Sequence, residues 1–505
     1  MKQLLLSGVL AFFSISSFAQ SESIVLEEIP NPDPHRYANF GSDLLVNQNQ
    51  AIVLAKGYSE GLRSNGAFYV YTNEGNGAWQ LSQKVVHTST TPVTEWFGSS
   101  AAADRDFLLI GAHNARQSKE EAYPAGAAFM YHRNANGKWE LSQRLSILPG
   151  EDAKGQQFGM QVALKGNHAA VLAGASEEVY LFEKQGTSWS FTQKISGADY
   201  LRKDGFKPDF GVSLAIEGDY LYVGASTDDS DTYGSQIKPR SGAVYVFKNS
   251  GKNWTLDQKI TQPAREAQAY FGTNINVSGN LMLVSSQEDR QGVVEIFQRN
   301  NEGIWNFIQK LTPTQRKAID RFGANMAIDG NLIAVSAPNY EVSGVMNAGA
   351  VFIYKKDNTT GHWLAEDVIT SPNPVSSERM GSVHLKDGIV MVGMPSGSTS
   401  TEKYTGTVYS SSLPFSSQEI GDDSGQSLRL YPNPATTTFT LQYIAGTEKI
   451  ESIQVFDYSG RPFDVNFDEE MNTADISGLS AGVYLLRVQL ENGEVLAREF
   501  TVDSH

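Results

Sequence analysis

The chain has 505 residues, 40% of them apolar, with 56 acidic against 40 basic side chains, a net charge of −16 and no cysteine. That length exceeds one ordinary core, so two or more units are expected. The acidic balance, with no basic stripe, argues against nucleic acid, and the missing cysteines exclude disulfides, thiolate metal sites and a lipidated N-terminal cysteine.

At the N-terminus, Lys2 precedes an apolar run over 4–13 and the small-x-small stretch Ser17-Phe18-Ala19. This reads as a secretory signal over 1–19, cut between Ala19 and Gln20. No later stretch is apolar over the ~18 residues a membrane helix needs, so no transmembrane segment is expected. Residues 22–29, "ESIVLEEI", alternate as a strand does.

A repeat then begins. Phe-Gly pairs start at Phe40, Phe97, Phe158, Phe210, Phe271 and Phe322, and Met380-Gly381 makes a seventh, with a mean spacing near 57 residues. Each repeat reads as four short strands. In the sixth, a strand over 324–328 is followed by a turn at Asp329-Gly330-Asn331. A strand over 332–337, apolar on both faces, comes next, then "GAVFIY" over 349–354 and a strand opening at Trp363. The outer strand has a signature of its own: "WQLSQK" at Trp79, "WELSQR" at Trp139, "WSFTQK" at Trp189, "WTLDQK" at Trp254, "WNFIQK" at Trp305 and a worn "WLAED" at Trp363. Alternation predicts Trp254, Leu256 and Gln258 on one face of that strand and Thr255, Asp257 and Lys259 on the other. One four-stranded sheet cannot bury both faces, but seven in a circle bury each other's, which predicts a seven-bladed β-propeller over 20–412. The seventh repeat lacks a Trp-led strand, so residues 22–29 are expected to complete it and close the ring.

The run "FG…GN-LIAVSAP…GAVFIY…W-x-x-x-QK" resembles the FG-GAP repeat family of β-propellers, which includes the integrin α-chain head. The integrin type joins its first two strands by an Asp-rich calcium loop. Here the joints are as short as "IDGNL" and "IEGDY". They carry too few carboxylates to surround calcium, so the chain resembles a short-turn branch of the family, and no cofactor or metal is expected.

Residues 413–427 are Ser-rich and read as a linker. From 428 to 505 the pattern changes to strands over 452–457, 482–490 and 495–502, a small Ig-like β-sandwich. Tyr431, Pro432, Asn433 and Pro434, then Gly478, Leu479, Gly482 and Tyr484 within "DISGLSAGVYLLRV", resemble the type A C-terminal sorting domain of the type IX secretion system. The resemblance implies export through the periplasm by that machinery and sortase-like removal of the domain. The product would be secreted or attached to the outer-membrane surface.

No catalytic constellation stands out. Gly478-Leu479-Ser480-Ala481-Gly482 matches a nucleophile elbow, but a strand follows where a helix is required. The eight histidines are scattered, without zinc spacing. The loops between second and third strands share one face of the disc with the blade-to-blade connections, and two of them are long, over 113–125 and 226–241. The second holds Asp228, Asp229, Asp231, Tyr233 and Arg240, a candidate ligand-binding loop that is expected to be replaceable without loss of the fold. The first adds Glu120, Glu121 and Tyr123. The reading is a non-catalytic binding or adhesion propeller with an extracellular glycan or protein ligand. The alternatives are a secreted polysaccharide-active enzyme and a structural component of a surface assembly.

Overall fold

The structure, a computed structural model, describes residues 24–502 except 48, 60–65, 74–78, 89–93, 117–122, 201–207, 233–235, 252, 289–290, 314–319, 358–359, 399–403, 414–427, 432–434, 444–448, 458, 470, 492 and 494. The signal segment with Ala19 and Gln20, Glu120 and Glu121, Tyr233, Pro432, Asn433, Pro434 and nearly all of the linker lie outside the described residues.

Among the described residues, nine four-stranded antiparallel sheets account for the strands. Seven of them are consecutive blades whose first strands touch one another in a closed circle, from Phe40–Asn47 of blade one to Ser382–Lys386 of blade seven and back. The second strand is buried along its whole length in four blades, as in Phe107–Ala112, Leu281–Ser286 and Leu332–Ala337, and in the other three only its first residue is half-buried. Its side chains enter a separate apolar cluster on each side, and each such cluster draws on two adjacent blades. The first-to-second-strand hairpins have two-residue turns in all seven blades, since Asn47 pairs Gln50, Asp104 pairs Phe107, Lys165 pairs His168, Glu217 pairs Tyr220, Ser278 pairs Leu281, Asp329 pairs Leu332 and Lys386 pairs Ile389.

The Phe-Gly pair is an inter-blade clasp. Each Phe, or Met380, is at most 2% exposed. Its N–H donates to the preceding blade, as Phe158 does to Ala125 O at 2.9 Å and Phe271 to Ser241 O at 3.0 Å. At Gly126, Gly242, Gly292, Gly349 and Gly406 the residue after that acceptor is a glycine, because backbone from the next blade lies where a side chain would start, whereas blade three has Glu177 there, whose carboxylate accepts from Phe210 N at 3.3 Å. At Gly406 a Cβ would sit 2.0 Å from Phe40 O and 2.4 Å from Phe40 N, and φ is +86°. Gly406→Ala is therefore expected to cost roughly 3 kcal/mol or more. Gly218→Ala should cost only about 1 kcal/mol, the left-handed penalty alone, because nothing lies within 4 Å of its Cβ position. Urea denaturation midpoints compare the two.

The outer-strand glutamine is a second clasp. Gln83 donates to Trp139 O at 2.9 Å and accepts from Trp139 N at 2.8 Å. Gln143 does the same to Trp189, Gln193 to Trp254 and Gln309 to Trp363. Gln258 accepts from Trp305 N and donates to Gly303 O. Each side chain thus satisfies both backbone groups of the next blade's Trp or its turn. The expected alternation on this strand needs correction. A register shift leaves Asp257 as an unpaired bulge between Leu256, opposite Phe247, and Gln258, opposite Val246, so Gln258 lies on the face away from Trp254 and Leu256, and Leu256 is 44% exposed where Trp254 is 5% exposed.

The ring closes as the repeat count requires. Glu27–Ile29 pairs with Thr407–Ser412, Glu27 opposite Ser410 and Ile29 opposite Val408. This is shorter than the expected strand over 22–29, yet Ile24 and Leu26 still pack against the core between blades six and seven, and Ile29 is 2% exposed. The segment after it is pinned to blade one, with Tyr71 donating to Pro30 O at 2.6 Å and Lys84 pairing with Asp33 at 3.0 Å.

The remaining two sheets, from Leu428–Tyr431 to Val495–Val502, enclose one core. Leu479 and Tyr484 lie in it, and the Tyr484 hydroxyl donates to Ser480 O at 2.9 Å. Gly482–Leu490 is a strand, so the elbow-like motif lacks the helix that nucleophile chemistry requires.

Candidate functional site

The chain must turn sharply before each Phe or Met enters the core. The residue at that point is left-handed in every blade: Asn39, Trp96, Gln157, Asp209, Tyr270, Arg321 and Arg379, with φ between 52° and 58°. Backbone geometry is all the repeat asks of this position, so its side chain is free to vary. The seven form a ring at one end of the inner strands, on the long-loop face, and none is fully buried. Around them stand further exposed aromatics from the same face. Trp96 is 43% exposed and lies parallel to His113, with centroids 6.4 Å apart and planes at 8°. Burial, and then the charge of Lys56, lower the His113 pKa, so the imidazole beside Trp96 is neutral. Tyr37 stacks on Tyr404 at 5.4 Å across the junction of blades seven and one, with the Arg36 guanidinium 4.8 Å from its ring. Tyr123 is 58% exposed, with Lys154 Nζ 5.0 Å from its ring.

The loop over 226–241 is built differently from expectation. Asp228 is 4% exposed. Its carboxylate accepts from Tyr245 OH at 2.5 Å and from Ser230 N and Oγ at 2.8 and 2.9 Å, and it pairs with Lys259 at 3.0 Å. Asp229 is also buried and accepts from Arg240 N at 2.7 Å, while Arg265 donates to its carbonyl oxygen. These two carboxylates brace the loop from inside and do not present themselves to a ligand. Exchange of the loop for a short turn is expected to destabilise the fold, since Lys259 and Tyr245 would lose a buried counter-charge and an acceptor. Asp231 is half-buried and its N–H donates to Gln236 O at 3.0 Å. Arg240 is exposed, and its guanidinium donates to Tyr270 OH at 3.2 Å, which ties this loop to the ring.

An FG-GAP repeat model matches residues 189–247 and 305–354, and a model described as a secretion system C-terminal sorting domain matches 429–502. The chain is an FG-GAP repeat propeller with a type IX sorting domain. The sorting domain marks it for export through the periplasm to the cell surface or the medium. Among the described residues no helix is long and apolar enough to cross a membrane. A search of curated proteins finds no match. Solved structures with a similar backbone include a protein from Lactobacillus plantarum, 16% identical, with a TM-score of 0.42 over 66% of this chain and 86% of that one. The periplasmic gluconolactonase of Pseudomonas aeruginosa is 14% identical, with a TM-score of 0.42 over 66% and 87%. A protein from Desulfotomaculum acetoxidans is 11% identical, with a TM-score of 0.41 over 67% and 87%.

The FG-GAP propeller departs from its own repeat at one buried point. The third residue of the third strand is aromatic in six blades, at Tyr69, Phe129, Tyr180, Tyr245, Phe352 and Tyr409, but is Glu295 in blade five. Burial pushes its carboxyl up to about 8, so it is protonated at neutral pH. Gln262 donates to it at 3.3 Å and also to Ser286 Oγ at 3.1 Å. Ser286 lines a cleft of about 740 Å³ on the long-loop side, together with Tyr270, Arg321, Glu266 and Glu288. Among the described residues no group of three His, Asp or Glu side chains is placed to hold a metal. The ring residues escape a motif search because they share a position and no chemistry. The signal that finds them is the place itself, one residue before every Phe-Gly or Met-Gly pair.

Proposed function

We propose that the exported propeller is a non-catalytic binding protein whose long-loop face engages an extracellular glycan. The observation that carries this reading is where the exposed aromatics lie. Tyr37, Trp96, Tyr123 and Tyr404 are 39–58% exposed and all belong to that face, whereas Phe191 and Phe307 lie on the rim. Between these rings stand Asn39 and Gln157, which carry both donor and acceptor, Asp209, which accepts, and Arg321 and Arg379, which donate. Flat apolar ring faces flanked by planar polar groups suit a pyranose, which has one apolar face and a rim of hydroxyls. The carboxylates that suggested a site by sequence hold the loop together, which favours recognition over acid–base chemistry.

A glycan array probed with the mature full chain is the test, followed by titration with the best glycan. Trp96→Ala is expected to weaken binding about tenfold or more, since desolvated Trp contacts dominate such interfaces. It should leave the melting temperature nearly unchanged, because the ring is 43% exposed. Unchanged affinity for Trp96→Ala, with loss of binding for Arg105→Ala on the opposite, short-turn face, would place the site on the wrong side. Binding to a protein and to no glycan would overturn the ligand class, and release of shortened sugars would overturn the non-catalytic reading.

A further inference from the structure

The worn outer strand of blade six, Trp363–Thr370, differs from the others at the positions that touch the sorting domain. The residue after the Trp is polar in blades one to five: Gln80, Glu140, Ser190, Thr255 and Asn306. In blade six it is Leu364, only 2% exposed, in a small apolar cluster with Phe456 and Leu485 of the sorting domain. The next position carries an exposed Leu or Phe at Leu81, Leu141, Phe191, Leu256 and Phe307. Blade six has Ala365 there, whose N–H faces Gly460 O at 3.4 Å. One residue further on, Glu366 pairs with Arg487 at 2.9 Å, with side-chain exposures of 13% and 23%.

The sorting domain brings a preformed plug to this surface. Asp457 accepts from Ser459 N at 2.9 Å and from Arg461 N at 3.1 Å, which folds the 457–461 turn around Gly460 at φ +78°. A Cβ at Gly460 would lie 2.7 Å from Trp363 O. Beside it, Ser459 Oγ meets Thr312 Oγ1 at 3.0 Å, at the end of blade five's outer strand. Glutamine is also absent at the clasp position of blade six, where Asp367 stands, because the seventh blade has no Trp for it to hold.

We propose that blade six carries a dedicated docking surface for the chain's own sorting domain, and that the domain is held there in the uncut protein. The substitutions at 364–366 remove a bulky exposed side chain, add an apolar contact and add a counter-charge, all where the domain sits. Scattered drift of one repeat would not combine these three changes at one contact.

The chain has no cysteine, so a designed pair can only bond to itself. Thr312→Cys with Ser459→Cys replaces two hydroxyls already 3.0 Å apart. Thr261→Cys with Ser459→Cys uses the same repeat position in blade four and serves as control. Under mild oxidation of the full chain, the first pair is expected to cross-link in at least about tenfold higher yield than the control, since docking raises effective concentration only at blade six. Arg487→Glu in the first pair should lower the yield, and adding Glu366→Arg should restore it. Equal yields for the Thr312 and Thr261 pairs, or a yield indifferent to these charges, would overturn the proposal. Small-angle scattering from the unaltered chain reads the same question without cysteines. A compact particle is expected, and two bodies separated by an extended linker would overturn docking.

Discussion

Deletion of residues 20–30 is expected to lower the melting temperature of the mature protein by on the order of 5 °C and to make it prone to association. Ile29 is 2% exposed, and Ile24 and Leu26 pack on the core between blades six and seven. Losing these contacts removes about 3–6 kcal/mol of apolar burial, which for a unit this long gives a shift of that size. The deletion also strips the ladder from Thr407–Ser412, whose unpaired groups would then form an open edge next to a hydrophobic junction. In a chain without disulfides, this pairing of the two ends of the propeller is a tie that packing alone must supply. Differential scanning calorimetry and light scattering measure both consequences. A truncated protein that melts with the parent and stays monodisperse would show that the ring is held shut without its N-terminal strand.

Deletion from Leu428 onward should stop export altogether and leave a folded propeller in the periplasm. The two sheets of the tail form their own core and lend no strand to any of the seven blades, so the propeller keeps every ladder it has. What it loses is the sorting domain that the export machinery reads, together with the cover over Leu364. Cell fractionation with a protease-sensitivity check distinguishes folded periplasmic protein from degraded chain. Truncated protein in the medium or on the cell surface at the parental level would mean that the tail does not direct export.

Much of this was legible in the sequence because the determinants are local and repeated. A six-residue strand apolar on both faces has to be covered on both, and seven such strands at a constant spacing leave a ring as the economical arrangement. The missing seventh Trp strand and the spare alternating segment before Phe40 likewise pointed to one closure, which the pairing of Ile29 with Val408 displays. The sorting motif was readable for the same reason, as a contiguous pattern. The candidate site was not. Asp228 and Asp229 look like an exposed acidic cluster in one dimension, but their partners Lys259, Tyr245 and Arg265 come from the following strands and connection. Local pattern cannot say whether a carboxylate faces water or a buried lysine. Nor could it explain "WLAED", whose Leu364 meets residues about a hundred positions away in another unit.

By itself, then, the sequence determined the number of blades, the strands within them and the export address, since each depends on periodicity or on a contiguous motif. Only the tertiary structure decided which face carries the exposed rings, which acids are internal braces and why one outer strand departs from its repeat. Those properties depend on what lies across from a side chain, and the opposing atoms are set by the closing of the ring and the seating of the tail, not by neighbours along the chain.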